Sequence, residues 1–459
     1  MAKVEEVFGV AKEPVLSYVE RPAVDDSFIA AIAADKQVVV YGASKQGKTA
    51  LVRRYLPYEK NIVVQLTPRI EVEDVYRTIL RSAGVQIVEG TAAGKTSELG
   101  TTGKLSFKAL LPIFGGAEAS AEATAKKGTT ENVTYKEIPF NLSLPQDVSQ
   151  LLKEVGDNRT IVLENFHYLN DAKQQQLAFD LRTYQELGVR FVILGVWREK
   201  NRLSQFNGDL LDRVHEVPVE PWLQDDFIRV ARKGEGELNI VLGHEVLIAC
   251  MAASFSSIGV FQELLKQTCI ASGITETAEV TTLVESMDKF ATAKTLKAGD
   301  YASRHERALE SIATGNTSGG GRGDSTPLFL PYYLVRVICE SGFEGLNGGM
   351  RRSTIHERIQ AIHHRPSDVR ASDMSNLLHS LAAMQAAKSI SPPIIDYDQS
   401  QKLLQVVDST FYFFLQNGDL TGFLTDLSDP VADYREKREV AKNIEIEWGR
   451  GGSGTTEEL

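Results

Sequence analysis

The chain has 459 residues, 42% hydrophobic and 24% charged, with a formal net charge of −11. That length exceeds one ordinary core, so roughly two or three domains are expected, in a mixture typical of soluble globular proteins. The acidic balance argues against non-specific coating of nucleic acid, and no stretch approaches about eighteen uncharged apolar residues, which argues against a membrane span. Residues 1–14 carry both charge signs and no apolar segment of a signal peptide. Cys250, Cys269 and Cys339 lie far apart in apolar stretches, which reads as buried free thiols in a cytoplasmic protein rather than a zinc or disulfide pattern.

In chain order, residues 37–41 (Gln-Val-Val-Val-Tyr) read as a short strand ending at a glycine loop, and a helix starts at about residue 50. Residues 61–66 form a second buried-strand candidate and 71–83 have helical spacing, so a parallel α/β sheet is predicted. Residues 88–136 break the pattern as a Gly-, Ala-, Thr- and Lys-rich insertion. It is read either as a β-hairpin whose Leu110, Leu111, Ile113 and Phe114 offer a partner surface, or as a surface loop. The sheet resumes at 160–163, followed by a helix over 172–186 and a strand over 190–194. The spacing over 224–313 predicts helices throughout. These readings give a P-loop domain at 1–222, a helical lid at 223–314 and a Gly/Ser linker at 315–326. The linker's Arg322-Gly-Asp324 is a chance match to an adhesion motif. Residues 327–424 read as a winged helix, with helices at 332–341, 354–363 and 373–387 and a β-wing over 394–407 that turns at 396–400. Residues 425–459 read as a C-terminal helix and a disordered tail.

The chemistry concentrates in Gly42-Ala43-Ser44-Lys45-Gln46-Gly47-Lys48-Thr49, which satisfies G-x-x-x-x-G-K-[ST] between a strand and a helix beginning near Ala50. Backbone amides of such a loop curl around phosphates, and the following helix N-terminus adds partial positive charge. Lys48 is predicted to reach the β- and γ-phosphates of ATP, and the Thr49 hydroxyl to coordinate Mg²⁺. The metal needs a second acid on a neighbouring strand, and Glu164 ends the run Ile161-Val-Leu-Glu164. The next place, where an acid usually polarises the attacking water, holds Asn165, which orients water but cannot take its proton. ATP hydrolysis is therefore expected to be slow or absent. His167 follows and reads either as a phosphate-positioning group or as a structural hydrogen-bonder. Arg198, after the strand, occupies a γ-phosphate sensor place. Arg213 reads as a finger reaching a neighbouring subunit's nucleotide, and a surface salt bridge is the alternative for each.

Together, Tyr18-Val-Glu-Arg21-Pro-Ala-Val-Asp25, the phosphate loop, Glu164-Asn-Phe-His-Tyr-Leu169 and the segment from Gly195-Val-Trp-Arg198 to Arg213 resemble AAA+-type and STAND ATPases, in particular the origin-recognition-like branch. Leu403 to Leu415 is similar to the last wing strand and closing helix of the winged-helix domain in STAND ATPases. The resemblance implies an ASCE sheet, a helical lid and a winged helix, with Tyr18 and Arg21 as base- or nucleotide-side contacts. ATP/ADP exchange would then change self-assembly. The chain departs from the pattern at Asn165, at the insertion, and in having no sensor-2 arginine within residues 252–266.

Three functions are expected in turn. The first is a homo-oligomeric regulatory ATPase acting on a protein partner, as in the signalling and antiviral-defence proteins of the STAND group; the partner must supply any effector chemistry, because no nuclease, protease, deaminase or TIR-like set is visible. The second is a DNA-acting initiator or loader, supported by the basic run Arg351, Arg352, His356, Arg358, His363, His364, Arg365 and Arg370. The third is a structural protein stabilised by a nucleotide that never turns over.

Overall fold

The structure is a computed structural model that describes residues 1–9, 14–89, 107–112, 135–315 and 326–451. They form two compact units, one made of Ala2–Gly42 and Gln46–Leu238, the other of Met1, Ala43–Lys45 and Asn239–Leu459.

The first unit runs α1 (Val4–Val7), α2 (Pro22–Ala33), β1 (Gln37–Gly42), α3 (Lys48–Tyr55), β2 (Ile62–Gln65), α4 (Val72–Ser82), β3 (Gln86–Glu89), β4 (Phe107–Pro112), β5 (Tyr135–Phe140), α5 (Pro145–Glu154), β6 (Ile161–Glu164), α6 (Asp171–Glu186), β7 (Phe191–Val196), α7 (Arg202–Phe206), β8 (Val214–Pro218) and α8 (Gln224–Leu238). Five strands form a parallel sheet in the order β2-β6-β7-β1-β8. The three central strands β6, β7 and β1 are buried on both faces, which explains why they read as continuous apolar runs rather than alternating ones. Val39, Tyr41, Leu163 and Ile193 face one cluster with α4, α5 and α6. Val38, Val40, Val162 and Leu194 face the other, with Phe28 of α2 and Leu51 of α3. At about 25 cal/mol per Å² of apolar surface, burial on two faces is the main stabilising term for these strands.

The insertion expected at 88–136 contains β4 and is bounded by β3 and β5, and the three form an antiparallel sheet with Ala109 paired to Ile138. Leu110 is half-buried there, while Ile113, Phe114 and most of the insertion lie outside the described residues, as do Arg322 and Asp324 of the linker.

The second unit continues with β9 (Ile240–Leu242), α9 (His244–Ala253), α10 (Ile258–Ala271), β10 (Thr282–Val284), α11 (Met287–Ala313), α12 (Leu330–Leu346), β11 (Met350–Arg351), α13 (Arg352–Ile362), α14 (Ala371–His379), α15 (Leu381–Ala387), β12 (Ile395–Asp398), β13 (Leu403–Val406), α16 (Ser409–Asn417), α17 (Leu420–Asp426) and α18 (Pro430–Gly451). Two readings change. The all-helical stretch over 224–313 contains the parallel pair β9–β10, because the short apolar run at 240–242 carries no helical period. The single helix read over 373–387 is two, parted at Ser380, whose hydroxyl donates to Leu377 O at 2.8 Å.

The expected hairpin at 394–407 is present as β12–β13, with its turn starting at Asp398 rather than Asp396. The Asp398 carboxylate accepts from the Gln401 N–H at 2.9 Å, which fixes where the chain reverses. With β11 these strands make a three-stranded sheet beside α12, α13 and α16.

The three cysteines are buried, and burial pushes the thiols of Cys250, Cys269 and Cys339 up to about 12. No helix among the described residues is long and apolar enough to cross a membrane.

Candidate nucleotide site

Residues 42–49 connect β1 to α3, as the motif requires. Gly42 has φ of +152°, and a Cβ there would meet the Val219 side chain at 2.7 Å, so the loop's first position admits no side chain. Gly47, in a left-handed conformation, caps α3. Lys48 opens that helix; it is buried and its Nζ donates to Gly42 O at 3.0 Å, so the ammonium spans the loop. Thr49 is exposed, and Ala50 follows it on the first turn of α3.

Glu164 ends β6 within reach of Thr49. The sequence placed the acid on a strand neighbouring the loop's strand; instead β7 lies between β1 and β6. The Glu164 carboxylate still reaches the loop because all these strands are parallel and end on the same edge. Its Oε2 accepts from Thr49 Oγ1 at 3.5 Å, and its Oε1 accepts from the hydroxyl of Tyr58. Burial and Glu164 together push the Tyr58 phenol well up, so it stays a donor, and Arg53 stacks over its ring at 4.1 Å. A hydroxyl and a carboxylate this close are hard oxygen donors of the kind Mg²⁺ takes.

Asn165 has φ of +62°, and its Nδ2 donates to Gln65 Oε1 at 3.1 Å across the ends of β6 and β2. His167, two residues on, makes no hydrogen bond through either buried ring nitrogen among the described residues. Burial pushes its pKa down to about 3, with Lys48 and Arg202 adding to the shift, so the ring is neutral. With so low a pKa it is not a base matched to neutral pH.

The two arginines part company. Arg198 follows β7 at the loop edge, and its Nη2 pairs with Glu220 Oε1 at 2.9 Å. Gln46 Nε2 donates to that same oxygen at 3.2 Å. Arg213 precedes β8 at the opposite edge, where its carbonyl accepts from the Gln37 N–H at 3.0 Å. Its guanidinium donates to Gln185 Oε1 at 2.9 Å and pairs with Glu186 at 3.2 Å. It lies away from this chain's own loop.

On the N-terminal segment, Tyr18 donates to Asp25 Oδ1 at 2.6 Å, and Asp25 Oδ2 accepts from the Arg21 N–H at 2.8 Å, fixing the start of α2. Arg21 is buried and lies 3.6 Å over the centre of the Trp222 ring, donating through Nη1 to Val219 O at 2.9 Å. Trp222 Nε1 donates to Gln46 O at 3.3 Å. Tyr58, Glu220 and Trp222 were missed by the sequence reading. The signal for the last two was Pro218-Val-Glu-Pro-Trp222 leaving a parallel strand at its carboxyl end, the edge where α/β sheets bind ligands.

Within the second unit, the middle of the loop is held by the segment that opens α16. Ser44 N–H donates to Val407 O at 2.8 Å, Ser44 Oγ to Asp408 Oδ1 at 2.9 Å, and Ser409 Oγ to Ser44 O at 2.9 Å. Lys45 O accepts from the Gly259 N–H at 3.0 Å, and the Lys45 ammonium lies 5.0 Å over the Tyr301 ring. Asp408 is buried, pairs with Arg304 and caps α16 through the Thr410 N–H at 3.0 Å.

The basic run is partly absorbed inside this unit. Arg352 donates to Ser375 at 2.6 Å, Arg365 to Asp368 at 2.6 Å, His363 meets Leu328 O at 2.7 Å, and His356 meets Val369 O at 2.9 Å. Arg351, Arg358 and Arg370 are exposed, Arg358 with a contact to Ser341 Oγ at 2.5 Å.

No protein-family model matches the chain, and no curated protein matches it. Solved structures do. A Walker-type ATPase of Pyrococcus abyssi is 12% identical, with TM-score 0.43, covering 87% of this chain and 99% of its own. The Aeropyrum pernix ORC1 protein in complex with DNA is 14% identical, with TM-score 0.39, covering 89% and 91%. Cdc6p of Pyrobaculum aerophilum is 10% identical, with TM-score 0.35, covering 92% and 100%. The similarity is remote, and the fold assignment stands on the chain's own loop, its five-stranded parallel order and the acid ending β6. On those grounds the chain has the α/β P-loop fold of nucleotide-binding ATPases, and its structural neighbours are Walker-type and origin-recognition-like ATPases.

Proposed function

We propose that the protein is a nucleotide-gated switch that binds ATP with Mg²⁺ at residues 42–49 and couples the bound nucleotide to self-association or to a protein partner. The observation that carries this reading is the convergence of buried Lys48, the Thr49 hydroxyl and the Glu164 carboxylate at the loop-bearing end of the parallel sheet. The amide of Ser44, a group that such loops offer to phosphate, already donates to Val407 O. A phosphate that competes for that amide would perturb the segment opening α16, and that differential contact is what a ligand needs to shift a conformational equilibrium.

Thr49 and Glu164 would hold the magnesium ion, which supplies neutralising charge at the β- and γ-phosphates. Lys48 binds the same phosphates, and Arg198 senses the terminal one. Tyr18 and Arg21, with Trp222 beside them, form the base-side wall. Arg213, facing away from its own loop, is available to a neighbouring subunit's nucleotide. Turnover is slow, because Asn165 is tied to Gln65 and cannot accept a proton, while His167 is too weak a base at neutral pH. Residues 223–314 serve as a helical lid and residues 327–424 as a winged helix.

Calorimetry with ATP and Mg²⁺, beside light scattering with and without nucleotide, tests the reading. Binding that Lys48→Ala removes, with a mass that follows nucleotide, supports the switch, while binding without change of mass or turnover supports a nucleotide-stabilised scaffold. A DNA-acting role has its own support in exposed Arg351, Arg358 and Arg370, and it requires duplex affinity that falls steeply with salt.

A further inference from the structure

Three strands meet at the phosphate loop: β1, which ends in Gly42, and its two parallel neighbours β7 and β8. Arg198 leaves the first neighbour and Glu220 the second, so strand order alone brings these opposite charges to the mouth of the loop. One Glu220 oxygen accepts from Arg198 Nη2 at 2.9 Å and from Gln46 Nε2 at 3.2 Å. The other lies 3.2 Å from where a Cβ on Gly42 would stand. The pair is largely sheltered, with side chains 28% and 20% exposed. A guanidinium and an amide from the loop converging on one carboxylate oxygen present the chemistry that would otherwise hold a phosphate oxygen.

We infer that Glu220 is a positioning residue: it occupies Arg198 in the absence of a triphosphate and yields it to the γ-phosphate, thereby setting the preference for ATP over ADP. The inference rests on the nucleotide-switch reading. A carboxylate and a terminal phosphate compete for one permanently charged guanidinium. A diphosphate has no group at the γ position and leaves the Arg198–Glu220 pair intact, so the exchange is felt only by ATP. Gln46, a member of the loop itself, reports the exchange to the phosphate-binding backbone.

The test is isothermal calorimetry of Mg·ATP and Mg·ADP on the full chain, comparing wild type, Glu220→Gln, Arg198→Ala and the double variant. Glutamine keeps an oxygen for Gln46 and removes the charge that holds Arg198. Glu220→Gln is expected to tighten ATP by about 5- to 10-fold and to move ADP by less than about 2-fold. In the Arg198→Ala background the same substitution should leave the ATP/ADP ratio unchanged. Equal shifts for both nucleotides, an unchanged ratio in a folded Glu220→Gln protein, or a ratio shift that persists without Arg198 would each overturn the inference. The last of these would assign the effect to plain charge repulsion. Should Glu220→Gln fail to fold, Glu220→Asp shortens the reach by one methylene and carries the same expectation. Lys48→Ala is the separate control: if it binds ATP as the wild type does, the nucleotide-site reading itself falls.

Discussion

The two edges of the parallel sheet contain similar residues and do different things. At the carboxyl edge, Gly42, Glu164, Arg198 and Glu220 leave four strands and converge on the phosphate loop. At the amino edge, Arg213 meets Gln185 and Glu186 at the end of α6, and the Gln37 side-chain amide donates to Leu181 O and Val189 O. Both Arg198 and Arg213 adjoin a strand of the parallel sheet, but one follows its strand and the other precedes it. In a parallel sheet that difference places them at opposite ends of the strands, one beside the phosphate loop and one beside the end of α6.

The largest effect is expected from altering the loop-edge strand itself. A Cβ on Gly195 would stand 1.6 Å from the Trp197 ring, with no space to relax in a packed core. Gly195→Ala should lower unfolding free energy by about 3 kcal/mol, read by urea denaturation. A loss under about 1 kcal/mol would show that the edge tolerates repacking. Next, Lys48→Ala should weaken ATP binding by about 100-fold in calorimetry, the value of a charged hydrogen-bonding group.

The pH dependence of stability comes third. His167 is neutral in the fold, with its pKa pushed from 6.5 to about 3. The unfolded chain takes up a proton below its ordinary pKa while the folded chain does not, so stability falls as pH drops from 6.5 toward 3. At pH 5 the cost from this ring is about 1–2 kcal/mol. His305, pushed down to about 4, acts in the same direction in the other unit. Replacing His167 by Phe should flatten the acid limb of a pH–stability profile, and an unchanged limb would mean the ring is solvated.

The comparison of edges is then sharpened by the arginines. Arg198→Ala should lower ATP affinity by about 10-fold with ADP affinity retained. Arg213→Ala should leave nucleotide binding by the monomer unchanged and cost at most about 1 kcal/mol of stability, since its partner Glu186 is half exposed. Should the two variants behave alike, strand direction would not be what separates them. The smallest effect is expected of Asn165→Asp, which restores a proton acceptor and should raise ATP turnover several-fold over a slow basal rate. No change would place the limit elsewhere, at the tie to Gln65 or at product release.

Much of the first unit was legible because its signals are local. The run Val38-Val-Val-Tyr41, the glycine spacing and the acid after Ile161-Val-Leu163 need no knowledge of distant contacts. What was not legible depends on which strands become neighbours. That β7 separates β6 from β1, that Glu220 meets Arg198, and that Tyr58 donates to Glu164 all follow from sheet order, which periodicity does not encode. The β9–β10 pair was hidden for a related reason: three residues are too few to show a period of two against a helical background. Ser44 was read correctly as a loop residue, but its partners Val407 and Asp408 lie more than 360 positions away in the chain.

The buried thiols have a practical consequence. Cys250, Cys269 and Cys339 are sheltered from solvent, and burial leaves them protonated near neutral pH, where a reactive thiolate would be needed for alkylation. A single cysteine introduced at an exposed position such as Arg351 would therefore be labelled selectively, with the native three left in place. A spectroscopic probe attached there could follow the chain through nucleotide exchange without first rebuilding its core.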